Sequence, residues 1–442
     1  MKNAYIVVGL GYGDEGKGTI VDYLSETKQV DAIVKFNGGS QAAHNVVTPE
    51  GMHHTFSQFG SGSFHGTKTA LSKFVFVDPL AMIMEGKSLD KKISENAFNL
   101  MYIDIECQII TPYHRTFNRL IERSRKSKRH GSCGVGFGIA KEMSLIEDAP
   151  KLKFKDLSKF NDTVDKLSEI KAYLKNKADS IGIDEWTEDD GFSEDDIAEE
   201  FLDLYRRVGK IYDMNGFLDP FNIVVFEGAQ GALLDEWKGF NPHTTWSTTT
   251  RENADTIIKE YSEYSDLTID THCIGVTRTF STRHGAGPFV SCNKDKSFKK
   301  YIEDDHNTHN PWQAHFRLGY LDLVMLKYAL SFSNIDSMAL THYDKIQEDF
   351  KYVSAYSCKN SIPMIESLAE LNNKEHIEKI KRKHFNSLDY SEALTEMLFK
   401  CEPEIEVCKY SIIALIREEL RKPISILSFG QTCKDKSNLM QY

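Results

Sequence analysis

Apolar positions in this chain fall into two patterns: short runs rich in β-branched residues, and stretches with the 3.6-residue repeat of an amphipathic helix. Tyr5 to Val8 (YIVV) is the first run and predicts a buried strand. Glycines break it, and from Thr19 the pattern turns helical, with Ile20, Val21 and Leu24 on one face and Asp22 and Glu26 off it. Ala32 to Phe36 predicts a second strand, and Phe74 to Val77 an alternating one after a turn-rich stretch. Asn222 to Phe226 (NIVVF) predicts a central strand, and Ile274 to Arg283 begins as another. Strands alternating with helical segments predict an α/β fold: one domain, 1–442, around a large, mostly parallel central sheet with helical and loop insertions. Residues 151–212 read as a charged helical insertion, and the acidic block from Asp184 to Glu200 reads as a solvated face or mobile segment.

Strand, glycine loop and helix together present bare backbone N–H groups to an anion, so the chain opens with a phosphate site. Gly11, Gly13 and Gly16 satisfy the dinucleotide fingerprint. Gly11, Gly16 and Lys17 satisfy most of the triphosphate loop, whose final Ser or Thr is Gly18 here. A dinucleotide fold also needs an acidic residue about 20 positions on, where this chain has Lys35, Phe36 and Asn37. Asp14 and Glu15 are unusual in a phosphate loop, because a carboxylate repels phosphate unless a metal ion or a proton transfer gives it a task. A second glycine-bearing loop, GGSQAAHN, follows the second strand, and both loops should open at the carboxyl edge of a parallel sheet, where such sheets place ligands.

GDEGKG (Gly13 to Gly18) followed by KFNGGSQAAHNVV (Lys35 to Val47) resembles the adenylosuccinate synthetase family. VDPL at Val77, TPYH at Thr111, FEGAQG at Phe226, STRHGAGPF at Ser281, GYLD at Gly319 and THYD at Thr341 extend the likeness in the same order. The resemblance implies a magnesium-dependent ligase that uses GTP to phosphorylate the 6-oxygen of IMP, then lets aspartate displace the phosphate. It implies Asp14 as base, His44 as donor to the transferring phosphoryl group, Lys17 as its counter-charge and Gln230 on the purine base. It further implies nucleotide contacts from Gly13, Glu15, Gly16, Gly18, Ser132, Thr245, Asp344 and Gly430, and magnesium held by Asp14 and the backbone oxygen of Ala43. Asp344 argues for GTP, since an aspartate can accept from guanine's paired donors; ATP is the other donor to consider, because His342 stands where the family has lysine.

The likeness breaks in two places. Between Asn307 and Arg317 the family carries several arginines suited to the carboxylates of aspartate, whereas NTHNPWQAHFR leaves Arg317, with His315 and His309 nearby and Ala314 and Phe316 at arginine positions. After the glycine loop, where Cys133 follows Ser132, the chain has Glu147, Asp148 and Ala149 where the resemblance leads one to expect an arginine pair. The expectation is therefore a divergent member, with three rivals: use of another nucleotide (GMP or dGMP) or another amine, a nucleotide-binding regulator without turnover, and a dinucleotide oxidoreductase.

Composition narrows this further. A formal net charge of −11 disfavours nucleic acid as a partner. No apolar run nears the roughly 20 residues of a membrane span, and Ile6 to Leu10 is too short for a signal-peptide core. Eight cysteines occur without a CxxC pair, which suits a reducing cytoplasm and indicates neither a disulfide framework nor zinc. The expected partners are small molecules (a purine nucleoside monophosphate, GTP and an amino acid), and the resemblance adds a homodimer.

Overall fold

The structure is a computed structural model that describes residues 1–126, 131–183, 186–187, 191–295, 298, 302, 316–358, 365–372, 376–383 and 386–439. Its centre is a ten-stranded sheet. The strands are β1 (Asn3–Gly9), β2 (Ala32–Lys35), β3 (Lys68–Leu71), β4 (Met101–Asp104), β5 (Gly209–Ile211), β6 (Ile223–Gly231), β7 (Asp270–Arg278), β8 (Ser337–Thr341), β9 (Ile424–Ser428) and β10 (Lys436–Asn438). Their spatial order is β10-β9-β8-β7-β1-β6-β2-β3-β4-β5. Every pairing is parallel except that of β9 with β10. Both faces of such a sheet are covered, so its strands read as continuous apolar runs; all four residues of β2 are buried, as are Val224, Val225 and Phe226 of β6.

Helix α1 (Lys17–Lys28) follows β1 and starts two residues earlier than its apolar repeat suggests, because Gly16 takes the left-handed conformation (φ 93°) and turns the chain into it. The alternating run at Phe74 to Val77 yields only a two-residue strand, Phe76–Val77, and the neighbouring sheet strand is instead Lys68–Leu71.

One departure from the expectation matters. A second, six-stranded sheet joins Phe280–Arg283, Arg317–Asp322, Lys351–Cys358, Ala369–Asn372, His376–Ile380 and Cys401–Val407, mostly antiparallel. Several of its strands are half exposed and rich in charge (Cys401–Val407 reads CEPEIEV), so no apolar run announces them. Tyr352, Val353, Tyr356 and Ile377 of this sheet share one apolar cluster with Ile6, Val8 and Phe226 of the first.

Residues 151–212 are built into the molecule rather than set apart from it. They form helices α2 (Phe160–Ser180) and α3 (Glu194–Arg207) and then edge strand β5. Leu167, Ile170 and Leu174 meet Ile197, Phe201 and Leu204 in a second cluster with Leu71 and Ile103 of the sheet. Part of the acidic block, 184–185 and 188–190, lies outside the described residues. Its later part caps α3: Ser193 accepts from the Asp196 amide, and Glu194, Asp195 and Asp196 occupy the first turn, where carboxylates suit the helix dipole.

This packing predicts that Leu167→Ala, at a fully buried position, lowers the unfolding free energy by about 2–5 kcal/mol in denaturant titrations; a change within about 0.5 kcal/mol would return the segment to the status of a loose insertion.

Candidate active site

Six chain segments leave the carboxyl ends of β1, β2, β6, β7, β8 and β9 and lie along one sheet edge. The first, Leu10 to Gly16, is shaped from within by Glu15. One of its carboxylate oxygens accepts from the Gly11 and Gly13 amides at 2.9 and 2.8 Å, and the other accepts from the Lys17 ammonium at 2.7 Å. Both side chains are buried, at 4% and 2% exposure. The carboxylate fills space that side chains would need: a Cβ on Gly9 would lie 2.4 Å from Glu15 Oε2, and one on Gly231 2.2 Å from the Gly11 carbonyl oxygen. Glu15, expected to contact nucleotide directly, is thus an internal brace, because its charge is consumed by loop amides and Lys17.

Asp14 sits beside it in the left-handed region (φ 60°), and so does Gln230 (φ 64°) at the end of β6. Such conformations cost non-glycine residues of the order of 1–2 kcal/mol and gather at functional sites. The Asp14 carboxylate is partly exposed, 3.3 Å from His284 Nε2, and Arg278 donates to the Asp14 carbonyl. Gln230 donates to the Thr245 hydroxyl at 2.9 Å, while its own amide oxygen is buried without a hydrogen-bond partner among the described residues. That orphaned acceptor suits a ligand N–H.

His44 opens the strand His44–Val47 after the β2 loop and is 8% exposed. Its Nδ1 is 2.5 Å from Glu227 of β6, and Glu227 also accepts from the Ser61 amide at 3.1 Å and from the Ser61 hydroxyl. Burial alone would raise the Glu227 pKa, but nearby Lys35 and the bonds from His44 and Ser61 outweigh it and bring it to about 2. Burial pushes His44 down against the opposing pull of Glu227. We take the pair as ionised Glu227 accepting from Nδ1–H, which fixes the histidine tautomer and leaves Nε2 as the ring's other polar atom. Gly18 explains itself here: a Cβ on it would lie 2.7 Å from the Cβ of His44. It is a clearance for the histidine, in a place where a triphosphate loop has a hydroxyl.

The remaining expected residues fall around this core. Ala43 is exposed just before His44. Ser132 donates to Asn118 at 2.9 Å and accepts from the Gly134 amide, and its loop touches the Gly285–Ala286 backbone, where a Cβ on Gly131 would lie 2.9 Å from the Ala286 nitrogen. Asp344 and Gly430 belong to adjoining loops, since Tyr343 packs edge-on against Phe429 at 5.2 Å, and the Thr19 hydroxyl donates to the Gln431 carbonyl at 3.0 Å. Arg317 does not present an open fork: it donates to the Gly285 carbonyl at 2.7 Å and the Gly287 carbonyl at 3.1 Å, so it supports the loop carrying His284. His315, His309 and Ala314 lie outside the described residues, whereas Phe316 stacks on His284 with ring centres 4.6 Å apart.

Sequence reasoning passed over Glu227, His284, Asn37 and Thr341. Glu227 carried a signal, a lone carboxylate at the end of the apolar run NIVVF. Asn37 joins β2 to β6 by a reciprocal pair with the Ala229 backbone at 2.8 and 3.1 Å, and the Thr341 hydroxyl holds the Glu15 carbonyl at 2.7 Å. Nothing local marks either.

Anion loop, buried base pair and glutamine on one parallel-sheet edge place the chain among α/β enzymes that handle phosphorylated substrates. The chain belongs to the adenylosuccinate synthetase family, ligases that form a C–N bond: the family's sequence profile matches residues 6–437. The adenylosuccinate synthetases of Borrelia turicatae and of Hydrogenobaculum sp. are each 28% identical to it, over 96% of both chains for the first and over 97% of this chain and 98% of the other for the second. A fully ligated adenylosuccinate synthetase from Plasmodium falciparum has the same fold, with TM-score 0.77 and 19% identity over 99% of this chain and 100% of that one. Cyanophage S-2L succinoaminodeoxyadenylate synthetase, bound to dGMP and to dATP as an energy donor, is more distant, with TM-score 0.57 and 13% identity over 100% of this chain and 96% of that one. The dinucleotide reading falls with this membership. Among the described residues no helix is long and apolar enough to cross a membrane.

The Glu227 pair yields a signed prediction. Its folded pKa, about 2, lies below the ordinary 4.5, so its contribution to stability is fully present above about pH 4.5 and is lost as pH falls towards 2. Glu227→Gln should lower the unfolding free energy by about 3 kcal/mol at pH 7 and flatten the acid limb of the stability profile; superimposable profiles would refute the ionised pair.

Proposed function

We propose that this chain is a GTP- and magnesium-dependent ligase that phosphorylates the 6-oxygen of a purine nucleoside monophosphate, IMP by default, and exchanges the phosphate for the amine of aspartate to form adenylosuccinate. The observation that carries the reading is the Glu227–His44 pair packed against Gly18, directly behind the phosphate loop.

The purine's ring N–H must be lost before its oxygen can attack, and the partly exposed Asp14 carboxylate is the base for that step. Gln230 holds the base through its unpaired amide oxygen, with Thr245 fixing the amide's orientation. His44 donates from Nε2 to the transferring phosphoryl oxygens; with Nδ1–H committed to Glu227, this requires the doubly protonated ring, which burial disfavours in the free site and which Glu227 and the negative phosphates favour once nucleotide is bound. Lys17 keeps ammonium donors beyond its bond to Glu15 for the phosphates. Loop amides from Gly16 to Gly18 complete the cradle, since the Gly13 amide is committed to Glu15; Ser132 serves the monophosphate, and Asp344 with Gly430 serves the donor's base. The Asp14 carboxylate and the backbone oxygen of Ala43, an exposed residue, are hard oxygen donors of the kind magnesium takes. Magnesium, when bound, offsets the charge on the phosphates. A homodimer in the cytoplasm belongs to the same reading and rests on the resemblance.

A second reading is favoured by Arg317, whose guanidinium is committed to the Gly285 and Gly287 carbonyls. It keeps the phosphoryl transfer and changes the acceptor or the nucleotide, and the cyanophage enzyme's dGMP and dATP make those compounds worth including.

The test is phosphate release with magnesium and GTP or ATP against IMP, dIMP, GMP and dGMP, with and without each amino acid. Turnover of IMP that needs aspartate is the expected result; turnover that ignores aspartate but follows another amine or nucleotide would replace the first reading with the second, and nucleotide-dependent stabilisation without phosphate release would make the chain a regulator. Asp14→Asn should cut release at least about 100-fold while GTP binding stays measurable by calorimetry; full activity in that variant would remove Asp14 as base.

A further inference from the structure

Beside α1, three metal-competent side chains from distant parts of the chain meet. Asp22 projects from the second turn of α1, His65 from the short 3-10 turn Ser63–His65, and Cys433 from the 3-10 turn Cys433–Asp435. One ligand atom from each lies within 4.8 Å of the other two. They line a cavity of about 570 Å³ that also holds Glu26 and Lys434.

The ordinary account of this cluster is an ion pair. His65 Nε2 lies 2.8 Å from Asp22 Oδ1, and His65 Nδ1 lies 3.3 Å from Glu26. That account leaves something over. Asp22 is 2% exposed, and its second carboxylate oxygen, Oδ2, is buried with no hydrogen-bond partner among the described residues. An ionised oxygen left bare in the interior is costly. Cys433, 4% exposed, is the neighbour that a cation would recruit.

We propose that Asp22, His65 and Cys433 form a zinc site, with the fourth position facing the cavity. The donor set selects the metal. Sulfur, imidazole nitrogen and carboxylate oxygen together suit borderline-soft, tetrahedral Zn²⁺, whereas magnesium and calcium take oxygen alone. Ligands about 2.0–2.3 Å from a tetrahedral zinc stand about 3.3–3.8 Å apart. The cluster therefore needs to close by roughly 1 Å, a rotamer-scale adjustment at a cavity wall. On binding, Cys433 gives its thiol proton to solvent and ligates as thiolate, His65 ligates through a deprotonated ring nitrogen, and the Asp22 carboxylate brings the site to neutrality. Glu26 remains with Lys434, whose ammonium is 2.5 Å away.

Such a site is structural in position. It would join α1, whose N-terminus is the phosphate loop, to the segment that follows Gly430 and Gln431. The Thr19–Gln431 hydrogen bond already spans the same two elements one turn earlier.

The test uses the full chain stripped with a chelator and then titrated with zinc alone against a chromophoric chelator. The expected result is one competing equivalent, weakened at least about 30-fold in both Cys433→Ser and His65→Ala and retained in Asp14→Asn, which separates it from the proposed magnesium position. Cobalt in place of zinc should show a thiolate charge-transfer band that Cys433→Ser abolishes, and zinc should raise the melting temperature of the parent but not of that variant. Failure of the parent to compete for zinc, or affinity unchanged in both variants, would overturn the proposal and leave Asp22 and His65 as an ion pair.

Discussion

The buried Glu15 carboxylate is the constraint on which the site depends. A glycine loop that only wrapped an anion would have no shape before the anion arrived. Here the Gly11 and Gly13 amides are already turned inward onto Glu15, and the Lys17 ammonium neutralises it. A buried ion pair of this kind adds little net stability over an apolar one, but breaking it by removing one partner typically costs about 3–5 kcal/mol. The arrangement therefore holds one loop conformation strongly. It also dictates composition, since Gly9 and Gly231 have no room for a Cβ beside that carboxylate or the loop backbone.

From this loop the other elements follow by contact. Gly18 lets His44 approach α1, Glu227 orients His44 from β6, and Asn37 ties the β2 loop to the end of β6. Thr341 at the end of β8 supports the Glu15 carbonyl, and Arg278 at the end of β7 supports that of Asp14. The ends of β7 and β8 thus hold the phosphate loop by direct hydrogen bonds, while β2 and β6 position His44 beside it, so sheet register and the Glu15 brace together set the geometry of the site.

That explains what could be read beforehand. Strand, glycine loop and helix at Tyr5 to Leu24, and the parallel sheet behind them, are local patterns, and they were legible. So was the grouping of His44 and Gln230 with the first loop, because parallel strands deliver their loops to one edge. The direction in which a side chain points was not. Glu15 and Gly18 lie inside a phosphate-loop motif, yet one faces inward and the other makes room for His44. Arg317 looked free for a carboxylate, but its partners are backbone carbonyls about 30 residues earlier, in a loop whose conformation no periodicity reveals. The second sheet escaped because half-exposed strands such as Cys401–Val407 carry charge at alternate positions, Glu402, Glu404 and Glu406. Residues 151–212 read as charged and helical, and what that reading did not show is the apolar face they bury against the sheet.

On the proposed mechanism, this sheet edge transfers a phosphoryl group to a purine's 6-oxygen before an amine enters. The most direct measurement follows an ¹⁸O label placed at that oxygen of IMP through a turnover with GTP, magnesium and aspartate, with mass spectrometry of the phosphate released. The account predicts that the label appears in phosphate in proportion to product formed. Phosphate free of label, with product still accumulating, would show that the oxygen leaves by another route and would contradict it.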